Sequence, residues 1–557
     1  MSAYQLDLLE PEFEQVDAMA YFSDSDIERG EVFTRREVVE FVLDLSGWQE
    51  SSDLSEAKLL EPSCGSGDFL IPAVERLLGS RKWQMGELLL RIRAVEVNRG
   101  AFEKCRDQVD SLLEIHKFDE RERRELLDNW LIHADFLTCS FETDFTHVVG
   151  NPPYVRQEAL PNELLKLYRA RFSTMYDRAD LYVPFFERGL TLLKDKGCLA
   201  FICADRWMKN KYGGPLRKMV SQNFHLESYV DFTGCPAFHD EVIAYPAVTV
   251  IRKGSGTTTR TASRPEVDFE KLQNLANSFS TESGNAQVTS ALNVVSGNEP
   301  WLLENPARLN VVRNLESLFP AIEEAGCRVG IGVATGLDQV YIRKDEELPV
   351  ESDRKIPLAT TRDVVDGELV WSGKMLLNPF DGDSPRLVNP NEFPLFKEYL
   401  EEHRERISRR HVARKNPKNW FKTIDRIYPS LTKTPKLLIP DIKGEASVVY
   451  DKGEFYPHHN FYYLTSEEWD LHALQAVLLS SLTQAFIATY SLRMRGDCLR
   501  YQAQYLRRLR LPKWSSLAKG LRNELASAGR AQDKEKIEEL VREVYGVSVE
   551  DWQLLKS

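Results

Sequence analysis

The chain has no run of about 18 uncharged apolar residues, so no membrane-spanning helix is expected. Its opening stretch, MSAYQLDLLEPEFEQ, is acidic and lacks the basic and apolar regions of a secretion signal. The 8 cysteines stand singly, without a CxxC pair, and read as reduced thiols of a cytosolic protein rather than as disulfides or a zinc site. Positive charge is also in deficit. A net charge of −13 argues against a phosphate-bearing partner if the charge is evenly spread.

It is not evenly spread. Arg404 to Lys443 holds 12 Lys or Arg against 3 acids, and Arg493 to Arg510 holds 6 arginines against Asp497 alone. Trp420, Phe421, Tyr428, Tyr501 and Tyr505 are interleaved with these cations. One basic run is ordinarily a solvated helix face. Two in the same half, mixed with rings, read as a nucleic-acid surface, with Arg414, Lys415, Lys418, Trp420, Lys422, Arg493, Arg495, Arg500, Arg507 and Arg508 as candidate contacts.

A length of 557 residues calls for two or more domains. From Lys58 to about Lys253, apolar runs (58–62, 91–97, 147–151, 198–204, 227–232, 247–252) alternate with amphipathic stretches such as FLIPAVERLL and LYVPFFERGLTLLKDKG, the latter closed by Gly197. Strand–helix alternation predicts an α/β, mostly parallel, doubly wound sheet. The last two runs lack a helix between them and predict an antiparallel pair at one edge. Residues 254–300 are rich in Ser, Thr and Gly and read as a linker. Residues 301–512 read as a mixed α+β domain, with strand-like runs in VGIGVATGLDQVYI, PKLLIPDI and NFYYLTS, and 513–557 as one or two helices. Residues 1–28 form an N-terminal extension ahead of a first domain spanning 29–253.

Doubly wound sheets bind ligands at the carboxyl ends of their strands, so the residues just after each strand matter most. The first strand runs into EPSCGSGDF, where Glu61, Cys64, Gly65 and Gly67 form a tight turn into a helix. It lacks the GxGxxG spacing and the P-loop lysine, which sets nicotinamide cofactors and ATP aside. Glu96 ends the second strand, where an acid can hold the hydroxyls of a ribose. Asp135-Phe136 offers an acceptor and a ring, suited to an adenine. Asn151-Pro152-Pro153-Tyr154 then breaks an apolar strand with two prolines that cannot join a sheet ladder. His458-His459 has no acid or thiol at ligand spacing, so no metal is expected and the pair reads as a surface or phosphate contact. Asp180 reads as the N-cap of the helix beginning just after it.

In this order the motifs resemble those of gamma-class, Taq-type, S-adenosylmethionine-dependent N6-adenine DNA methyltransferases, the tetrapeptide NPPY being similar to their catalytic motif. RGEVFTRREVVEFVLDL (29–45) is similar to the helix that opens such domains, in which a Thr, here Thr34, reaches the cofactor carboxylate. The resemblance is close over about 29–253 and looser beyond. Asp68 departs from it, since a small or apolar residue is expected there.

The resemblance implies a Rossmann-like class I methyltransferase domain with an antiparallel edge, followed by a target-recognition domain. It implies S-adenosyl-L-methionine as cofactor, held by Thr34, Glu61, Cys64, Gly65, Gly67, Glu96, Asp135 and Phe136. It also implies double-stranded DNA as partner, Asn151, Pro152, Pro153 and Tyr154 as the catalytic group, and Phe238 as a second stacking ring for a flipped adenine. A separate restriction endonuclease or defence-system subunits would be further partners, in a prokaryotic cytosol. Three rivals remain. NPPY also occurs in enzymes acting on RNA or on protein glutamine, though those chains are shorter. A fused nuclease would need more than the 28 or so residues ahead of the opening helix. A catalytically idle DNA-binding subunit would not need Asn151, Glu96 and Asp135.

Overall fold

The computed structural model describes residues 21–22, 32–141, 144–239, 245–281, 287–295, 297–303, 306–443, 447–491 and 499–556. They divide into two compact units, Met1–Pro306 and Ala307–Ser557.

The first unit is built on one sheet. Its strands are β1 (Leu59–Glu61), β2 (Ile92–Glu96), β3 (Leu131–His133), β4 (Phe145–Gly150), β5 (Leu193–Ala204), β6 (Phe224–Asp231), β7 (Pro246–Lys253), β8 (Thr258–Ser263) and β9 (Thr289–Leu292), in the spatial order β3-β2-β1-β4-β5-β7-β6-β8-β9. β3, β2, β1, β4 and β5 run parallel, and β7 lies antiparallel between β5 and β6. Parallel strands are covered on both faces, which is why they read as continuous apolar runs. Leu59 and Leu60, adjacent on β1, accordingly enter two different cores, one on each face of the sheet.

The helix Arg36–Ser46, α1, buries Val38, Val39, Phe41, Val42 and Leu43 against one face. It stops at Gly47, whose left-handed conformation (φ +85°) lets its N–H reach back to the carbonyls of Asp44 and Leu43. The helix after β2, Arg99–Ile115, starts where the Asn98 side chain accepts the Ala101 N–H.

Four expectations need correcting. The Ser/Thr-rich stretch 254–300 is not a linker: β8 and β9 extend the sheet and Phe269–Ser280 is a helix between them. Its threonines are strand residues, with Thr259 Oγ1 donating to Leu226 O at 2.7 Å and Thr261 hydrogen-bonded to Thr289 across the ladder. The β6/β7 pair is therefore internal rather than at the edge. Gly197 does not close a helix. The helix Tyr182–Thr191 ends earlier, and Gly197 sits in β5 where an added Cβ would lie 2.9 Å from Phe145 O. Asp180 does not cap that helix through its side chain; Leu181 holds the cap position, and Asp180 gives only its carbonyl, to Val183 N.

The second unit is mixed α+β. One antiparallel sheet joins Cys327–Ile331, Phe461–Ser466, Lys436–Pro440 and Val449–Asp451 in that order. A second joins Ile342–Lys344, Lys374–Leu377, Lys355–Ala359 and Tyr456–Pro457. Three helices, not one or two, end the chain: Lys519–Ala531, Lys534–Tyr545 and Val549–Lys556. They pack on the buried pair Leu471–Leu479 and Ser481–Tyr490. No single described helix is long and apolar enough to cross a membrane.

Candidate active site

Strand order reverses between β1 and β4, with β2 on one side and β5 on the other. The carboxyl ends of strands at such a switch point form the ligand crevice of an open α/β sheet. β1 ends at Glu61 and runs into the glycine turn; β4 ends at Gly150 and delivers Asn151. Ser63 Oγ donates to Asn151 O at 3.2 Å and ties the two ends together.

Asn151 carries the most informative geometry. Its Nδ2 donates to Val32 O at 3.0 Å and to Thr34 Oγ1 at 3.2 Å. With both amide hydrogens placed, the orientation of the group is fixed. Its Oδ1 is buried and has no partner among the described residues. Nor does any described backbone N–H donate to the Pro152 carbonyl. A buried acceptor left open costs free energy unless a ligand fills it.

Segment 32–35 is itself strapped down. Thr34 forms an antiparallel bridge with Phe238, Arg35 N donates to Ala237 O at 3.1 Å, and His239 N donates to Phe33 O at 3.0 Å. Thr34 N donates to Asp68 Oδ2 at 3.1 Å. Asp68, unexpected at this position from the sequence resemblance, thus holds the strap that holds Asn151. Burial raises its carboxyl above the usual range, opposed by the Thr34 N–H and by His239. The roles of Asp68, Val32 and Ser63 escape sequence reasoning because each contact is long-range and has a main-chain atom at one end.

Tyr154 is partly exposed while its hydroxyl is sunk against the Cys203 thiol, so burial pushes the phenol well above its ordinary range. Its ring centroid lies 6.1 Å from that of Phe238, with the planes at 79°. The two rings are therefore not parallel jaws: a flat ligand stacked on one meets the other edge-on.

Around the glycine turn, Glu96 accepts Gly65 N–H at 2.8 Å and Asn98 N–H at 2.7 Å. Gly65 has φ +54°, and a Cβ added there would meet nothing within 4 Å, so the turn borders open space. Gly67 (φ +110°) lies against Ile71 and Cys105 instead. Glu61 is 1 % exposed and its Oε2 has no partner among the described residues. Burial, with Cys105, Asp68 and Glu96 nearby, drives its carboxyl well above the usual range.

Three expected ligand contacts are not supported by side-chain placement. The Cys64 thiol turns into the core toward Cys105. Phe136 is 2 % exposed and packs on Phe185 (5.1 Å) and Phe141 (5.9 Å), so it presents no face. Asp135 is filled from within, by Leu137 N (2.9 Å), Thr138 Oγ1 (2.9 Å) and the Tyr168 hydroxyl (3.1 Å). Burial raises its carboxyl against those three donors.

In the second unit, Arg414, Lys415 and Lys418 are exposed around the short helix His411–Lys415 and the turn after it. Trp420 packs on Phe421 under the Arg404 guanidinium, and the Lys422 carbonyl accepts from Arg410. Arg500 pairs with Asp441, Arg507 with Glu323 at 3.1 Å and with Val329 O, and Arg508 lies 4.4 Å over the Tyr490 ring. Arg493 and Arg495 lie outside the described residues.

The expectation for the histidine pair also needs correcting. His458 is 7 % exposed, and Asp338, 120 positions away in sequence, accepts from its Nε2 at 3.0 Å. That contact, with Thr335, holds the Asp338 carboxyl down at about 2.

Residues 82–238 match the Eco57I restriction-modification methylase family, and residues 383–511 match the TaqI-like C-terminal specificity domain. The chain is 50 % identical over 532 residues to the Type II methyltransferase M.PaeR7I of Pseudomonas aeruginosa, covering 94 % of this chain and 92 % of that one. It is 50 % identical to M.XhoI of Xanthomonas vasicola over 94 % of this chain and 98 % of the relative, and 41 % identical to M.BstVI of Geobacillus stearothermophilus over 95 % and 98 %. Among solved structures, the Type IIL restriction-modification enzyme MmeI shares the fold with a TM-score of 0.59 at 12 % identity, over 94 % of this chain and 74 % of that one. With NPPY standing in a switch-point crevice, and relatives half-identical along almost the whole sequence, the chain belongs to the Type II methyltransferase family of restriction–modification methylases.

Proposed function

We propose that this chain transfers the methyl group of S-adenosylmethionine to the exocyclic N6 amine of an adenine in double-stranded DNA. Asn151, Pro152 and Tyr154 are the groups that touch the base. The observation that carries the reading is the Asn151 amide, pinned through both hydrogens with its oxygen open.

The exocyclic amine of adenine is a weak nucleophile because its lone pair is shared with the ring. Asn151 Oδ1 and the Pro152 carbonyl can each accept one of its hydrogens and so localise that lone pair. The paired prolines fix φ and remove competing N–H groups, which makes these acceptors rigid before the reaction begins. The target amine is inaccessible within a duplex, so the base is flipped into the crevice. Tyr154 then offers a ring face worth about 1–3 kcal/mol of stacking, and Phe238 a ring edge.

The residues at the switch point fit the donor. Glu61 Oε2 awaits a hydrogen-bond donor, Gly65 borders open space, and Glu96 ends β2 where a ribose is held. Thr34 accepts from Asn151 and keeps its own hydroxyl proton for the donor's carboxylate. When bound, S-adenosylmethionine supplies an already activated methyl on a sulfonium, so the chain's task is positioning. Ala307–Ser557 chooses the DNA site, with Arg414, Lys415 and Lys418 meeting phosphates. A separate endonuclease of the same target, in the same cytosol, is the partner such a methylase guards against.

The test is incubation of duplex DNA with methyl-labelled S-adenosylmethionine followed by nucleoside analysis. N6-methyladenine is expected, and Asn151→Ala should abolish it with the fold intact. Label on cytosine, on RNA or on protein glutamine, or DNA binding without transfer, would overturn the reading.

A further inference from the structure

The second unit contains a cluster of titratable side chains outside the residues assigned above to methyl transfer. We infer that Asp338, His458 and His459 form a binding site for a divalent transition-metal ion of the zinc class, which clips two distant segments of this unit together.

The segments are already brought to one point by the main chain. His458 N donates to Ala359 O and His459 N to Val333 O, both at 3.0 Å, and the Asp425 N–H donates to Ala334 O at 3.0 Å. These bonds fix both histidines on the same side of their turn, with ring centroids 4.0 Å apart. A carboxylate oxygen of Asp338 and one ring nitrogen from each histidine lie within 4.8 Å of one another. Bonds of about 2.1 Å in tetrahedral geometry separate ligand atoms by about 3.4 Å, so small side-chain rotations close the cluster on an ion. The Asp338–His458 contact, at 3.0 Å, is already near that spacing, and a metal would replace the hydrogen it shares.

Two further observations point to a ligand. The Nδ1 atom of His459 is buried without a hydrogen-bond partner among the described residues, which leaves it open to an ion. An unsatisfied buried ring nitrogen is costly. The charge around them is also negative: Asp338 is bonded to His458, and the Asp425 carboxylate faces His459 as well. That environment attracts a cation and repels the phosphate contact expected from the sequence. Two imidazoles with carboxylate support suit zinc, cobalt or nickel better than magnesium or calcium, which prefer all-oxygen sites.

The experiment uses the full chain stripped of metal with a chelator and titrated with cobalt(II). A saturable visible d–d band is expected, together with a rise in melting temperature of the same midpoint and displacement of the band by zinc. His459→Gln and Asp338→Asn should each lose the band or weaken binding at least tenfold. His459→Gln keeps the test clean, because the Asp338–His458 bond survives in it and its metal-free melting temperature should match the parent. Absence of a band and of a thermal shift at millimolar cobalt would overturn the site. So would undiminished cobalt binding in both variants, or stabilisation by inorganic phosphate or duplex DNA without any response to metal.

Discussion

The switch point of the first unit and the framework of the second treat buried polar groups in opposite ways. In the first, Glu61 Oε2 and Asn151 Oδ1 sit at the switch point with no partner among the described residues. In the second, the Lys436 ammonium and the Asp451 carboxylate, both essentially inaccessible, face each other at 2.7 Å. Asp451 also accepts the N–H groups of Gly453, Glu454 and Phe455. Arg410 is similarly saturated, giving its hydrogens to the carbonyls of Ile407, Thr335, Trp420 and Lys422 and to the Tyr341 hydroxyl. At these two places the open groups lie at the ligand crevice and the closed ones belong to the architecture. The residues of the basic run 404–443 that look most like a nucleic-acid surface by composition are therefore of two kinds, and Arg410 and Lys436 belong to the framework.

The sharpest way to break this contrast is to open a closed pair. Lys436→Met leaves Asp451 buried and unpaired, and should cost about 3–5 kcal/mol of stability in urea unfolding, while methylation per folded molecule is retained. The converse is to delete an open group. Asn151→Ala should lower methyl transfer by about 10²–10³-fold or more, with an unchanged melting temperature. Replacing Arg414, Lys415 and Lys418 together by alanine should reduce the slope of log affinity against log salt by about 0.9 for each phosphate no longer neutralised, whereas Arg507→Ala, already committed to Glu323, should change it little.

Thr34→Val removes one of two acceptors for the Asn151 amide and should reduce transfer about tenfold, the cost of one hydrogen bond of roughly 1–1.5 kcal/mol. The smallest effect is on pH. His147, partly accessible but with its ring edge-on to Trp48 at 5.2 Å, is pushed down to about 4 by desolvation and then by Arg252. Its unfolded value near 6.5 means the unfolded chain binds the extra proton between pH 6.5 and 4. Stability from this group is thus complete above about 6.5 and lost as pH falls through about 4. His147→Gln should flatten that part of the stability profile.

The pattern of legibility follows from how each feature is encoded. β1, β2, β4, β5, β6 and β7 are readable because strands buried on both faces are short apolar runs. The NPPY break is readable because four contiguous residues carry it. β3 is missed because three residues, LIH, come directly after the helix Glu120–Trp130. β8 is missed because a Thr-rich strand has the composition of a linker, and only its pairing with β6 and β9 distinguishes them. Phe136 is misassigned because a ring after an acid looks the same in sequence whether it faces a ligand or the core. The histidine cluster is invisible because its acid lies 120 residues upstream.

The Asn151 amide is not held by the strand that carries it. It is held by Val32 and Thr34, which precede the first helix and are tied to the sheet by Asp68 and by the backbone around Phe238. A cut or fusion just ahead of Val32 that frees this strap would let the reactive group swivel while every sheet strand stayed in place. Such a protein would still melt cooperatively and still be recognised by conformation-specific antibodies, yet turn over scarcely at all.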